Sequence, residues 1–282
     1  MLAQIRPSLW RWELPHPDWI PDLDEASGGG WEKIVASYAA VAEDTLLLID
    51  PLAPEDGSPQ AERFWNALDG DVAHHGPPNV VLTIFWHARS APVILHRYEG
   101  ARLWAYEPAA GLVRERTPVT DTFVAGAELP GGLRAVDVGR GHEVALWLPS
   151  HRGLVVGDVI LGSAEGGARL CPESWLGAGR TYGDLRHALE SALALPLELL
   201  LLTHGEVVEN DAAGVLRRAL DGGQSTRVVD PHRMPQSIRP QALHGGQAFD
   251  RLSSLRIGLL QLTLVAQGVG PVETREGQRV PD

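Results

Sequence analysis

The sequence predicts an α/β fold in which mixed β-sheets are covered by helices. Three observations carry that reading. Short buried-strand patterns alternate with stretches of helical spacing through residues 31–223. Antiparallel hairpins occur among them, so the sheets are not purely parallel. Strand after strand ends on a polar residue, at Asp50, Thr83, Asp158 and His204, and strand ends are where such sheets place ligands.

Taken in order, residues 1–30 are rich in tryptophan and proline (WRWELPHPDWIP) and read as an irregular N-terminal arm. His16 lies there between two prolines in a stiff extended segment. It reads as a surface histidine, with the mouth of an active site as the sharper alternative. Lys33–Val41 alternates apolar and polar residues as a strand does, Ala42–Asp44 turns, and Thr45–Ile49 is a buried strand ending at Asp50-Pro51. Gln60–Leu68 has helical spacing, followed by a loop of His, Gly and Pro over His74–Pro78. Val80–Ile84 is a buried strand, Arg89–Tyr98 a short helix carrying Pro92, Arg102–Tyr106 a strand, Phe123–Leu133 turn-rich, and Arg134–Val138 a strand.

The stretch Gly139–Gly162 is the centre of the chain. Two apolar runs, Val144–Leu148 and Leu154–Val156, flank the turn Ser150-His151-Arg152-Gly153 and so predict a hairpin. Antiparallel strands bring the start of one beside the end of the other. His142 and Asp158 are therefore expected together at one sheet edge, where an imidazole and a carboxylate begin a metal site. A glycine-rich loop runs on to Gly179. Asp184–Leu195 then puts Leu185, Ala188, Leu189, Ala192 and Leu193 on one helical face. Leu197–Leu202 is a buried strand leading to Thr203-His204-Gly205, and Asp211 is the expected N-cap of a helix over Ala212–Leu220 that stops at Gly222. Residues 224–282 are dominated by Pro, Gly and Arg and read as a partly disordered appendage, with Ile257–Val265 as a strand or short helix.

The 282 residues, 44% hydrophobic and 21% charged, suit one large domain or two small ones. The single cysteine, Cys171, excludes an intrachain disulfide and a Cys-rich zinc module, and it fits a reducing, cytoplasmic compartment. No secretory h-region opens the chain, and no apolar stretch is long enough to span a bilayer. A formal net charge of -12 argues against nucleic acid or an anionic membrane as partner and leaves a small-molecule substrate or ligand. Lys33 is the only lysine, and several of the 11 histidines (His16, His87, His142, His204) stand beside turns or strand ends.

In this order, the pieces from Gly30 to Leu220 resemble the metallo-β-lactamase fold superfamily. LLLID ending at Asp50 is similar to that family's first hairpin, and VVLT (Val80–Thr83) to the strand before its main metal motif. GHEVALWLP (Gly141–Pro149) resembles the segment of its third histidine, LVVGDVI (Leu154–Ile160) that of its bridging aspartate, and LLLTHGE (Leu200–Glu206) that of its last histidine. The resemblance implies an αββα four-layer sandwich of two mixed sheets flanked by helices, with the site at one sheet edge. It also implies that His142, Asp158 and His204 occupy ligand positions. The family's His-x-His-x-Asp-His is degenerate here: Thr83 is followed by Ile84-Phe85-Trp86-His87-Ala88-Arg89. Slipped by one, His87 takes the second histidine's place, Arg89 the aspartate's and Ser90 the last histidine's.

A binuclear site is thus incomplete, while a catalytic zinc needs about three protein ligands and an open position. His142, Asp158 and His204, with His87, are the candidate ligands of one divalent ion, zinc first. Asp158, His87 and Arg89 are the candidate catalytic residues, Arg89 either orienting an anionic substrate group or pairing with Asp158 to leave a metal-free polar cluster. Asp50 reads as a turn-capping carboxylate and Trp86 as core packing or a pocket floor. Three functions remain open. One is a single-metal hydrolase of an ester, thioester, lactone or phosphoester. The second is a non-catalytic, metal-free binding protein. The third is acid–base catalysis by His142 and Asp158.

Overall fold

The protein is described by a computed structural model over residues 3–24, 29–163 and 167–222. The run Ile257–Val265 and the remainder of 224–282 lie outside the described residues. Two sheets face each other between two layers of helix, as the resemblance implies.

The first sheet has seven strands in chain order: β1 (Ala3–Arg6), β2 (Leu9–Pro15), β3 (Ile34–Ala42), β4 (Thr45–Ile49), β5 (Asn79–Val81), β6 (Arg102–Tyr106) and β7 (Asp121–Phe123). Pairing is antiparallel from β1 to β4 and parallel from β4 to β7. The second sheet holds β8 (Arg134–Asp137), β9 (Val144–Leu148) and β10 (Gly153–Val156). A two-stranded ribbon follows, β11 (Ile160–Gly162) with β12 (Ala168–Leu170). β13 (Leu199–Leu202) then returns to lie parallel to β10, giving the order β13-β10-β9-β8.

Alternation along each strand explains why the central runs are apolar throughout. Leu47, Ile49, Leu199 and Leu201 point into the space between the sheets, where Tyr38, Leu146, Leu148 and Val155 meet them. Leu46, Leu48 and Val80 point the other way, into a core with Leu68 of α1 (Pro59–His75), Ile94 of α2 (Ala91–Arg97) and Val113 of α3 (Ala110–Arg114). Leu200 and Leu202 point outward on the second sheet, onto Leu185 and Leu189 of α4 (Tyr182–Leu193) and Leu216 and Leu220 of α5 (Ala212–Gly222). A strand buried on both faces loses the period-2 signal and reads as a solid apolar run. Each fully buried leucine contributes about 1.5–3 kcal/mol by removal from water.

Several sequence expectations are corrected. Residues 3–15 are not irregular: they form β1 and β2, and β2 buries Leu9, Arg11, Trp12 and Leu14 and pairs with β3 over seven residues. Buried Arg11 in β2 donates to the Gly205 carbonyl at 2.6 Å, and the Trp12 indole to Leu52 O at 2.7 Å. α1 extends through His74 and His75, capped at its start by the Ser58 hydroxyl, which accepts from the Ala61 amide. β5 stops at Val81, and the glycine-rich loop after Gly162 contains β12. Among the described residues no helix is long and apolar enough to cross a membrane.

Candidate metal centre

The carboxyl ends of β4, β5, β10 and β13 meet at one edge, because β4 and β5 run parallel, as do β10 and β13. Their next residues carry the chemistry. Asp50 directly follows β4 with φ of 49°, a conformation that Asp tolerates better than most residues. Its fully buried carboxylate accepts from the Thr83 amide at 2.8 Å and the Thr83 hydroxyl at 2.5 Å. It also faces His87 Nδ1 at 2.9 Å. His87 sits in a short 3₁₀ turn, Phe85–Ala88, which aims its ring back across the strand ends. The Asp50 carboxylate keeps a proton on Nδ1 and so assigns Nε2 to whatever lies opposite.

Opposite lies Asp158, two residues beyond β10. Its Oδ2 accepts from the Trp86 indole at 2.6 Å. Its Oδ1 is 3.2 Å from His87 Nε2 and 3.3 Å from His204 Nε2. Neither approach has the alignment of a hydrogen bond, and among the described residues this buried oxygen has no such partner. His204 is positioned by its own backbone. Its carbonyl accepts from Gly162 N at 2.7 Å, and Gly205 packs so closely on Gly162 that a Cβ there would lie 2.5 Å from Gly162 Cα.

The electrostatics follow from these contacts. Burial alone raises the Asp158 carboxyl, but the imidazoles of His87 and His204 reverse the sign and hold it well below the usual carboxylate range. Burial and the Arg89 charge lower His87, yet the carboxylates of Asp50 and Asp158 outweigh them and raise it above the ordinary imidazole value. A positive charge is therefore favoured between His87 and Asp158, whether proton or metal ion. One nitrogen each from His87 and His204 and one Asp158 oxygen all lie within 4.8 Å of one another, and all three residues are buried. Two imidazoles and a carboxylate, with one orphaned oxygen at their meeting point and a carboxylate behind one ring, fit a single divalent cation with an open position.

Of the sequence-derived candidates, His87, Asp158 and His204 come together; His142 does not. The strand-end expectation fails by one residue. His142 is exposed, its Nδ1 bonded to Pro108 O at 3.1 Å and its ring edge-on to Phe85. Glu143 is the residue that faces inward, since successive side chains alternate. It is fully buried, accepts from Val159 N at 2.8 Å and pairs with Arg140 at 2.8 Å. Burial drives its carboxyl up to about 7, with Arg140 opposing and Asp158 reinforcing the shift. Arg89 makes no ion pair with Asp158 among the described residues; its guanidinium donates to Asp50 O at 3.4 Å.

A cavity of about 500 Å³ opens beside the trio, with His16, Trp31, Trp86, Arg89, Arg116 and Arg140 among its walls. His16 thus stands at the mouth, edge-on to Trp31, which is in turn edge-on to His204. Asp50, Glu143 and Arg140 were not among the sequence candidates. Asp50 had one legible signal, a carboxylate closing a fully apolar strand.

No family model and no curated protein matches the chain. Solved structures do. The metallo-β-lactamase DIM-1, from a crystal exposed to ceftazidime, has 11% identity and a TM-score of 0.57, over 79% of this chain and 96% of its own. The mono-zinc form of the metallo-β-lactamase FIM-1 from Pseudomonas aeruginosa has 13% identity and a TM-score of 0.56, over 79% and 95%. The metal-soaked Flv1 flavodiiron core from Synechocystis sp. PCC6803 has 15% identity and a TM-score of 0.57, over 79% and 60%. The two facing sheets between their helix layers are the architecture that these structures share with this chain. This chain has the metallo-β-lactamase fold.

Proposed function

We propose that this protein is a hydrolase working with one divalent cation, zinc first, held by His87, Asp158 and His204. The observation that carries the reading is the convergence of two buried imidazole nitrogens, from His87 and His204, on a buried Asp158 oxygen that lacks a hydrogen-bond partner among the described residues. Such a cation supplies Lewis-acid polarisation and nucleophile activation at neutral pH. The chain's own residues do the rest. Asp50 holds the His87 ring and its tautomer, and the Trp86 indole fixes Asp158 by Oδ2, leaving Oδ1 turned to the imidazoles. Arg89 orients the substrate from the cavity wall. Its acyl or phosphoryl group belongs to an ester, thioester, lactone or phosphoester. The sole cysteine, buried Cys171, supports a cytoplasmic site of action.

Elemental analysis of protein purified without chelators tests this. About one equivalent of Zn, Fe or Mn is expected, and less than about a tenth in His204→Ala. Less than a tenth in the wild type removes the reading. A second reading, a metal-free binding protein on the same sandwich, is favoured by one observation: counted straight from Thr83, Ile84 and Trp86 stand where the family has histidines. It requires that added zinc leave the melting temperature unchanged.

A further inference from the structure

We propose that the cavity beside the trio is an anion seat for a phosphate monoester, its phosphate oxygens held by Arg89, Arg116 and Arg140. This deepens the hydrolase reading by naming the substrate class. The chain carries a formal net charge of -12, yet three guanidiniums line this one cavity, with Asp18 and Asp158 the only carboxylates on its wall among the described residues. Asp158 is already committed to two imidazoles. Among the described residues, Arg89 and Arg116 have no carboxylate within ion-pair reach, and the buried Arg89 Nε has no hydrogen-bond partner at all. Asp50 and Asp158 act on the largely buried Arg89 only from beyond ion-pair distance, so its guanidinium keeps the capacity to pair with an anion from outside the chain.

The donors also remain available. A guanidinium carries five N–H groups. Arg140 spends one nitrogen on Glu143, Arg116 one on Leu112 O, and Arg89 one on Asp50 O. Arg140 and Arg116 are steadied over the faces of Trp86 and Phe85, at 5.2 and 5.0 Å from the ring centres. His16 adds a neutral donor. Its Nδ1 accepts from the Asp18 amide at 3.1 Å, so its proton sits on Nε2. Burial and the Arg89 charge lower its pKa to about 4, which keeps the ring uncharged. Three forks and an N–H match the several oxygens of a phosphate better than the two of a carboxylate.

The test titrates inorganic phosphate and, separately, acetate into the full chain by calorimetry, both chelator-treated and zinc-loaded. Wild type, Arg116→Gln and Arg89→Lys are compared. Arg116 is exposed, makes no ion pair among the described residues and hydrogen-bonds with its side chain only to Leu112 O in the helix that ends two residues before it, so its replacement is expected to leave the fold intact; Arg89→Lys keeps the charge and removes the fork. Phosphate is expected to bind both forms of the wild type more tightly than acetate, and about tenfold more weakly in each variant. Phosphate binding that is absent while zinc still binds, or unchanged in both variants, overturns the anion seat and leaves the metal reading standing. Acetate binding as tightly as phosphate overturns the phosphate assignment. Phosphate binding without zinc uptake sustains the seat and overturns the metal reading instead.

Discussion

Replacing Asp50 by asparagine isolates the tautomer control of His87. The amide has the size of the carboxylate and tolerates the φ of 49°, so the backbone is undisturbed. It offers one acceptor and an NH₂ donor where the carboxylate offers two acceptors. With its oxygen on the Thr83 amide, the NH₂ faces the Thr83 hydroxyl and His87 Nδ1. The hydroxyl can turn and accept. The imidazole has to give up its Nδ1 proton and carry it on Nε2, the atom that faces Asp158. Loss of such a supporting carboxylate typically weakens metal binding about 10- to 100-fold, or about 1.4–2.7 kcal/mol. At zinc a hundredfold above the wild-type Kd, the wild type gains about 2.7 kcal/mol of stability, and the variant about 0.4–1.4. At about 2–4 °C per kcal/mol for a domain of this size, the zinc-induced rise in Tm is about 5–11 °C in the wild type and about 1–6 °C in Asp50→Asn. Differential scanning calorimetry in chelator and in zinc reads both numbers, and far-UV circular dichroism verifies that the variant is folded. A folded Asp50→Asn with the full wild-type rise would refute the idea that Asp50 sets the coordinating nitrogen.

Other substitutions probe the surroundings. His142→Ala is expected to leave the zinc-induced rise unchanged and to shift stability by no more than about 0.5 kcal/mol in urea titrations; a lost zinc response would return His142 to the centre. Glu143 carries a pKa of about 7 in the fold against an ordinary 4.5, so the folded chain keeps a proton that the unfolded chain has released between those values. Stability then falls as pH rises from about 4.5 to 7 and levels off above. Glu143→Gln keeps an acceptor for Val159 N and is expected to flatten that fall by about 2–3 kcal/mol, read from urea midpoints at pH 5 and 8; an unaltered slope would contradict it. Gly205→Ala has to place a Cβ against Gly162 backbone at φ of 104°. It is expected to cost about 2–4 kcal/mol and to weaken zinc binding through His204; a neutral substitution would mean that this peptide does not position the ring.

The sandwich was legible because its central strands are buried on both faces and its helices on one. LLLID, GLVVGD and LLLLTH therefore stand out as apolar runs that end on a functional side chain. Asp158 and His204 were found that way, and His87 by a one-residue slip of a familiar spacing. The failures have physical causes. His142 lies at the end of a strand where a shift of one residue reverses the face, so hairpin reasoning located the place but chose the wrong neighbour of Glu143. β2 hid behind proline and tryptophan, and β12 is three residues long among glycines. Asp50 looked like a turn residue because its partners, Thr83 and His87, are more than thirty positions away. Arg116 and Arg140 reach the cavity from segments with no motif at all.

The indole at position 86 joins two parts of the pocket. Its N–H clamps Asp158 and its face carries Arg140, so one side chain ties the carboxylate of the trio to a guanidinium of the cavity wall. Replacing it by histidine would discard the clamp and leave the guanidinium without the ring beneath it. A change at this one position is therefore felt at once by both halves of the site.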